Sequence, residues 1–311
     1  MRKDIHYLTK FQESHNLTDL FYFISFYTWT RLEAYSKASA TVGEEEITNK
    51  LVYEILDVLM QPRVKLPIRF FHSKKERVNG NDLEIVIPID DNRYIIMPCQ
   101  AKRLYAENTK NNLNAKYATV HHLVNRDKPA EKEQISCLLE YAQEWGGFPL
   151  YLFYNYTENQ VEINEKYPHR ELYGCTLASA NHVFENFKTL VNNKIRIVPF
   201  TFQDIHPPAK PLLSFLETQM LVQLKTFFGS SISFNKLKVY SENDLLKQDW
   251  WDEKCPPISG KIPRRNEPIK SVQEIIQNKN FNSHEEYPFN PKYRIMILRK
   301  PEINRDKNIE L

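Results

Sequence analysis

The chain has 311 residues, of which 41% are hydrophobic and 26% are charged, and its formal net charge is +3. This apolar share excludes a largely disordered protein, and the near balance of charge requires that any nucleic-acid binding come from a local basic patch. The four cysteines show no CxxC spacing, which argues against a zinc site and a disulfide framework. Without a signal peptide or an apolar run of about 18 residues, we expect a cytoplasmic protein that does not enter a membrane.

Two amphipathic helices are predicted near the start of the chain. Residues 18–38 carry apolar side chains at three- and four-residue steps, with Thr18 or Asp19 as the N-cap. The many aromatic side chains of this stretch favour a buried helix over an exposed surface for assembly. The second helix is predicted to begin near Gly43 and to end at Pro62, with an apolar stripe that faces the core.

A β-hairpin is predicted next, after a first strand over residues 64–71. Its two strands, 83–89 and 94–102, are joined by the short polar segment 90–92. The elements that follow are a helix over 131–145 that stops at Gly146-Gly147, a strand over 149–156, a helix over 178–190, a strand over 195–202, helix within 212–228, a proline-rich irregular stretch over 255–292 and a closing strand over 293–298.

The order helix, hairpin, helix and strand predicts an α/β fold with a mixed β-sheet flanked by helices, plus an N-terminal helix. We divide the chain into three parts. Residues 1–42 form an N-terminal helical segment, residues 43–230 form the core domain, and residues 231–311 form an irregular C-terminal extension that wraps the core.

One end of the hairpin combines an acid, an amide and an ammonium group. Gln100 and Lys102 are two residues apart on one strand, so they are expected on one face, and Asp82 precedes the partner strand. Phosphodiester hydrolysis with a divalent cation needs oxygen ligands and a positive group near the phosphate. Asp82 would bind the metal, with the Gln100 amide oxygen and the Ala101 carbonyl beside it, and Lys102 would contact water and phosphate. An ordinary turn residue at 82 and a solvated strand end at 102 are the simpler interpretations, but they leave this grouping unexplained.

A carboxylate from the second helix would complete the site. Glu44, Glu45 and Glu46 open that helix, and favourable interaction with the helix dipole explains two of the three. Glu45 and Glu44 are each in helical phase with part of the apolar stripe, and we choose Glu45 over Glu44. Glu84, two residues after Asp82, is a substitute ligand from the same strand face.

Other polar residues have weaker assignments. Gln134, near the start of the next helix, is interpreted as a surface residue and not as a group that faces the site. The pair His121-His122 has no catalytic role, because adjacent residues do not converge. A phosphate-binding patch is predicted from basic residues in and before the loop that follows the hairpin, with a solvated loop as the equal alternative; these residues are Arg103, Lys110, Lys116, Arg126 and Lys128.

Several segments together resemble a known superfamily. Six segments between residues 28 and 205 carry the resemblance: TWTRLEA, GEEEIT, NGNDLEIVI, QAKRLY, PLYLFYNY and YGCTLASANHV. They resemble the PD-(D/E)xK restriction-endonuclease-like proteins in their QxK, Mrr-like variant, and more closely a bacterial family of this type. The resemblance implies a restriction-endonuclease-like core, dependence on Mg²⁺ or Mn²⁺, and site roles for Glu45 or Glu44, Asp82, Gln100 and Lys102. It also implies a role in defence against foreign DNA. Double-stranded DNA is the expected partner, and a homodimer is one option for the oligomeric state.

Gln100 stands where most of that superfamily has a carboxylate, and a neutral amide binds Mg²⁺ less strongly. A catalytically inactive nuclease-like module that binds nucleic acid or protein is therefore the second hypothesis. A scaffold that assembles through its aromatic helix and proline-rich tail is the third. The nuclease hypothesis requires that the groups at 82, 100 and 102 converge and can be reached from solvent.

Overall fold

The computed structural model of the protein describes residues 16–60, 66–73, 83–90, 92–105, 115–117, 123–124, 132–158, 161–163, 165–192, 194–205, 209–217, 237–248, 251–255 and 293–298. Within these ranges the fold is α/β, with a mixed sheet flanked by helices and an N-terminal helix ahead of it. The predicted fold class is confirmed.

Both predicted N-terminal helices are present. Helix α1 spans Leu17–Lys37, and helix α2 spans Glu44–Met60. The N-cap of α1 is Asn16, whose side-chain oxygen accepts a hydrogen bond from the backbone N–H of Asp19 at 2.9 Å, so the predicted cap at Thr18 or Asp19 is wrong. Aromatic and aliphatic side chains of α1 are buried, with Leu20 and Trp29 fully so, which confirms a core helix.

The described strands are β1 Ile68–Ser73, β2 Leu83–Asp90, β3 Arg93–Arg103, β4 Leu123–Val124, β5 Lys132–Glu133, β6 Leu150–Tyr154, β7 Cys175–Ser179, β8 Lys188–Val191, β9 Lys194–Ile197, β10 Lys210–Pro211, β11 Trp251–Cys255 and β12 Tyr293–Ile297. Eight of them form the main sheet in the order β10-β7-β6-β3-β2-β12-β1-β11. The pairs β4–β5 and β8–β9 form separate two-stranded sheets.

The predicted hairpin is the centre of the main sheet. Strands β2 and β3 pair antiparallel, whereas β3 pairs parallel with β6 and β2 pairs parallel with β12. Because β3 has a neighbour on each side and helices beyond its faces, every residue of it after Arg93 is buried. A polar side chain near the end of β3 must therefore find its partners inside the protein.

Helices cover the sheet. Helix α3 spans Gln134–Trp145 and ends at Gly146, whose φ of 62° confirms the predicted glycine stop. Helix α4 spans Ala180–Phe187 and gives way to β8, so the predicted helix over 178–190 is too long. The remaining helices are α5 Phe202–Ile205 and α6 Glu242–Leu246, with 3₁₀ helices at Arg170–Gly174 and Leu212–Glu217. None of the helices in the described ranges is long and apolar enough to cross a membrane.

The C-terminal part of the chain belongs to the sheet. The predicted closing strand is confirmed as β12, which lies between β1 and β2 in the interior of the sheet. Strand β11, which the sequence pattern does not predict, forms the edge beside β1. The described portion of 231–311 is therefore integral to the core, and its description as an extension that wraps the core is wrong for these strands. The stretch 256–292 lies outside the described residues.

Gly174 ends a 3₁₀ helix that presses against α1. A Cβ atom at this position would lie 2.0 Å from the carbonyl oxygen of Ser25 and 2.7 Å from the backbone nitrogen of Trp29. Because both are backbone atoms of a helix, neither can rotate away. We expect Gly174→Ala to lower the free energy of unfolding by about 1–3 kcal/mol or more, measured by urea unfolding.

Gly43 offers the matched control, because a Cβ there meets nothing within 4 Å. We expect Gly43→Ala to change the free energy of unfolding by less than about 1 kcal/mol. Equal stability of the two alanine variants would contradict the close approach of Gly174 to α1.

Candidate functional site

The C-terminal end of β3 carries two buried polar side chains on one face. Side chains alternate along a strand, so Gln100 and Lys102 lie together, while Cys99 and Ala101 belong to the main apolar cluster on the other face. Gln100 is 1% exposed and Lys102 is 2% exposed, so the solvent access predicted for these two groups is wrong. Burial of an ammonium group this deep requires compensating partners.

The Lys102 ammonium group has two such partners. Its Nζ donates to Oε1 of Glu44 at 3.2 Å and to Oε1 of Gln134 at 3.1 Å. Glu44 begins α2 and Gln134 begins α3, so the first residues of two helices converge on the end of one strand. The Lys102–Glu44 ion pair touches solvent through Glu44, whose side chain is 14% exposed.

Glu44 is held at several points. Its Oε2 accepts a hydrogen bond from the backbone N–H of Arg103 at 3.2 Å, and its carbonyl oxygen accepts one from Thr48 Oγ1 at 3.1 Å. The same Thr48 hydroxyl lies 3.0 Å from the Tyr154 hydroxyl. Burial raises the pKa of Tyr154 well above its ordinary value, so this hydroxyl stays protonated and remains a hydrogen-bond donor.

The choice of Glu45 over Glu44 is wrong. Glu45 and Glu46 are exposed, whereas Glu44 reaches both Lys102 and the backbone of β3. Successive residues of a helix differ by about 100° in direction, so a shift of one residue turns a carboxylate from the site to solvent. Both candidates are in phase with buried residues of α2, and sequence alone therefore does not separate them.

Gln134 faces the interior of the protein and belongs to the candidate site. It is 7% exposed and its amide oxygen accepts from Lys102, so its interpretation as a surface residue is wrong. A sequence signal for its direction exists, because Gln134 lies three and four residues before Cys137 and Leu138, which are both buried. Gln134 therefore lies on the face of α3 that packs against the sheet.

The side-chain amide of Gln100 is unusual among the described residues. Neither its amide oxygen nor its amide nitrogen has a hydrogen-bond partner in the part of the chain that the structure describes. Buried polar groups in folded proteins are paired in the large majority of cases, so such a group calls for a specific explanation. A buried oxygen atom without a hydrogen bond fits a bound cation, and Lys102, on the same face of β3, contacts the carboxylate of Glu44.

Other predicted site residues lie outside the described residues: Asp82, Lys110, Arg126 and Lys128. The pair His121-His122, for which no catalytic role is predicted, lies outside them as well. Leu83, the residue after Asp82, begins β2 and pairs with Cys99, the residue before Gln100. Ala101 is a buried residue of β3 that pairs with Leu152 of β6, and its role as a ligand stays a prediction. Among the described residues, no group of three or more His, Cys, Asp or Glu side chains could hold a metal ion.

Glu84 has a structural role, so its prediction as a substitute ligand is wrong. Its Oε1 lies 2.6 Å from the guanidinium group of Arg294, and its Oε2 accepts a hydrogen bond from the Tyr141 hydroxyl at 2.9 Å. Glu84 and Arg294 face each other on β2 and β12 and are 0% and 1% exposed. Arg294 also donates to Gln248 at 2.7 Å. Both carboxylate oxygens of Glu84 thus have partners in the interior, and the side chain has no contact with solvent, whereas that of Glu44 is 14% exposed.

Arg103 and Lys116 are the described members of the predicted phosphate patch. Arg103 is 8% exposed; its guanidinium group donates to the carbonyl oxygen of Val42 and lies 4.7 Å from the ring centre of Tyr105. Burial lowers the pKa of Arg103. This inward packing contradicts a place for Arg103 in an exposed patch. Lys116 is partly exposed and forms β-bridges with Tyr105 and Thr201.

The fold and the buried cluster define an α/β protein with an ion pair and two amides at the end of a central strand. The chain belongs to DUF6615, a family of unknown function whose model matches residues 17–302. This range includes every element that forms the sheet and all four members of the cluster. No curated protein matches the chain, and no solved structure matches it.

Proposed function

We propose that the protein is a Mg²⁺-dependent endonuclease that hydrolyses phosphodiester bonds of double-stranded DNA, with a role in defence against foreign DNA. The observation that carries the proposal is the buried Lys102 ammonium group, held by Glu44 and Gln134. Its face of β3 also bears the amide of Gln100, which has no hydrogen-bond partner among the described residues. A fixed cation beside oxygen donors is the combination that phosphodiester hydrolysis requires.

The residues that would hold the divalent cation are Asp82, Glu44 and Gln100, with the Ala101 carbonyl as a further donor. Mg²⁺ or Mn²⁺, when bound, would neutralise negative charge on the phosphate. These oxygen atoms suit a hard cation, and two of the three side chains are carboxylates. The Gln100 oxygen supports the assignment, since it has no hydrogen-bond partner within the described ranges and a bound cation would provide one.

Lys102 would act on the phosphate and on the attacking water. An ammonium group has three N–H donors, and Glu44 and Gln134 each accept one of them. The third N–H would donate to a phosphate oxygen or orient the water. Glu44 and Gln134 keep the ammonium group in place, so that little rearrangement is needed during reaction.

A catalytically inactive module that binds nucleic acid or protein is the second candidate. The observation in its favour is that Gln100 and Lys102 are 1% and 2% exposed, so a substrate has little direct access to them. The neutral amide at position 100 also lowers the expected affinity for Mg²⁺. Binding of DNA without cleavage under any metal condition would support this candidate.

Incubation of the purified protein with supercoiled plasmid tests the proposed function. We expect nicking and linearisation in Mg²⁺ and none in EDTA. Asp82→Ala is expected to remove cleavage, and Glu44→Gln is expected to reduce it by about 10–100-fold. Glu45→Gln is the matched control, since Glu45 is exposed, and it should cleave like the wild-type protein. Equal cleavage by all variants would place the activity elsewhere.

A further inference from the structure

Gln100 offers more than a ligand for a cation. A glutamine amide has an oxygen that accepts two hydrogen bonds and a nitrogen that donates two. Both ends of the Gln100 amide are buried and lack a hydrogen-bond partner within the described residues. A cation would complete only the oxygen, so the two N–H groups would still need an acceptor.

Among the described residues, no acceptor bonds to these N–H groups. The side-chain oxygen atoms of Glu44 and Gln134 are directed at other donors, namely the Lys102 ammonium group and the backbone N–H of Arg103. An acceptor brought in by a bound molecule is therefore the simplest partner for the Gln100 nitrogen.

The neighbouring Lys102 indicates which kind of acceptor this is. Gln100 and Lys102 share one face of β3, and the third N–H of the ammonium group adds a charged donor beside the amide donors. Two adjacent donors, one of them cationic, suit an anionic oxygen. The cluster reaches solvent through Glu44, whose side chain is 14% exposed.

We propose that the Nε2 group of Gln100 donates a hydrogen bond to a non-bridging phosphate oxygen of the nucleic-acid backbone, while its Oε1 faces the divalent cation. The inference rests on the proposed function, because the phosphodiester substrate supplies the oxygen. A carboxylate at position 100 would bind the cation more tightly, but it has no proton to donate at neutral pH. An amide at position 100 therefore binds the cation less tightly than a carboxylate would, but it gains a hydrogen bond to the substrate.

Two variants separate these roles. Gln100→Glu keeps the acceptor and removes the donor, and Gln100→Met has a similar length and removes both. Binding of a fluorescein-labelled duplex DNA is measured by fluorescence anisotropy in Ca²⁺, and calorimetry measures Ca²⁺ binding without DNA. Gln143→Met is the matched control, because Gln143 is an exposed residue of α3.

We expect Gln100→Glu to bind Ca²⁺ more tightly and duplex DNA about tenfold more weakly. Gln100→Met should weaken binding of both, and it should unfold at a higher temperature than the wild-type protein because an unpaired buried amide is removed. This rise in unfolding temperature also shows that weaker binding does not result from misfolding. Gln143→Met should bind Ca²⁺ and DNA like the wild-type protein.

The outcomes separate this inference from the proposed function. If the wild-type protein cleaves plasmid but Gln100→Glu binds DNA as tightly as wild type or more tightly, the phosphate contact is overturned and the nuclease stands. If the wild-type protein binds DNA without cleavage and both variants bind it more weakly, the nuclease proposal fails and the phosphate contact stands. Failure of the wild-type protein to bind duplex DNA in Ca²⁺ overturns the inference.

Discussion

Replacement of Lys102 by methionine is expected to slow plasmid cleavage by about 10²–10³-fold, while the protein still folds. Lys102 is the cation of the cluster, and its position depends on Glu44 and Gln134. Methionine fills similar space but carries no charge and no N–H donor. Removal of a preorganised donor from a buried site is costly for catalysis because solvent cannot replace it.

The free energy of unfolding of this variant should fall by about 1–3 kcal/mol, because the Glu44 carboxylate and the Gln134 amide oxygen each lose a donor. The Glu44 side chain is 14% exposed, so water replaces part of the lost interaction. Lys188→Met is the control, since the Lys188 side chain is 41% exposed and pairs with Glu185 on the surface. Cleavage by Lys102→Met at the wild-type rate would remove Lys102 from the mechanism, and thermal unfolding of both variants would exclude loss of fold.

Arg294→Met should produce the largest loss of stability. Arg294 is the counterion of Glu84, and both are at most 1% exposed between β12 and β2. Removal of one partner leaves an uncompensated carboxylate in the core, beside the Tyr141 hydroxyl. We expect the free energy of unfolding to fall by about 3–5 kcal/mol, measured by guanidinium chloride unfolding.

A double variant gives this prediction a sharper form. In Glu84→Met with Arg294→Met neither charge remains buried, so much of the lost stability should return. The exposed Lys188–Glu185 pair is the comparison, and Lys188→Met should change the free energy of unfolding by less than about 1 kcal/mol. Destabilisation of the double variant by the sum of the two single changes would show that the pair is not coupled.

Elements defined by local patterns are predicted well from this sequence. The apolar periodicity of α1 and α2, the hairpin of β2 and β3 and the glycine stop of α3 are all confirmed. The position of β12 within the sheet could not be predicted from the sequence. A short apolar run indicates a strand, but nothing in residues 293–298 identifies β1 and β2 as its neighbours, because pairing over 200 residues of separation leaves no local signal.

The candidate site, too, could be predicted from the sequence only in part. The alternation of side chains along a strand correctly brings Gln100 and Lys102 together, because that rule needs only the two residues. The contacts of Lys102 with Glu44 and Gln134 depend on how two helices begin beside the end of β3. Their direction is a property of the packing of helices on the sheet, so a choice between neighbouring carboxylates needed the three-dimensional structure.

The interior position of β12 also affects the synthesis of the protein. Strands β1 and β2 follow each other closely along the chain, yet both require residues 293–297 between them. A growing polypeptide on the ribosome therefore carries two strands with unsatisfied edges during most of translation. Such edges favour pairing with other chains, so we expect newly made molecules to depend on chaperones and to complete their core late.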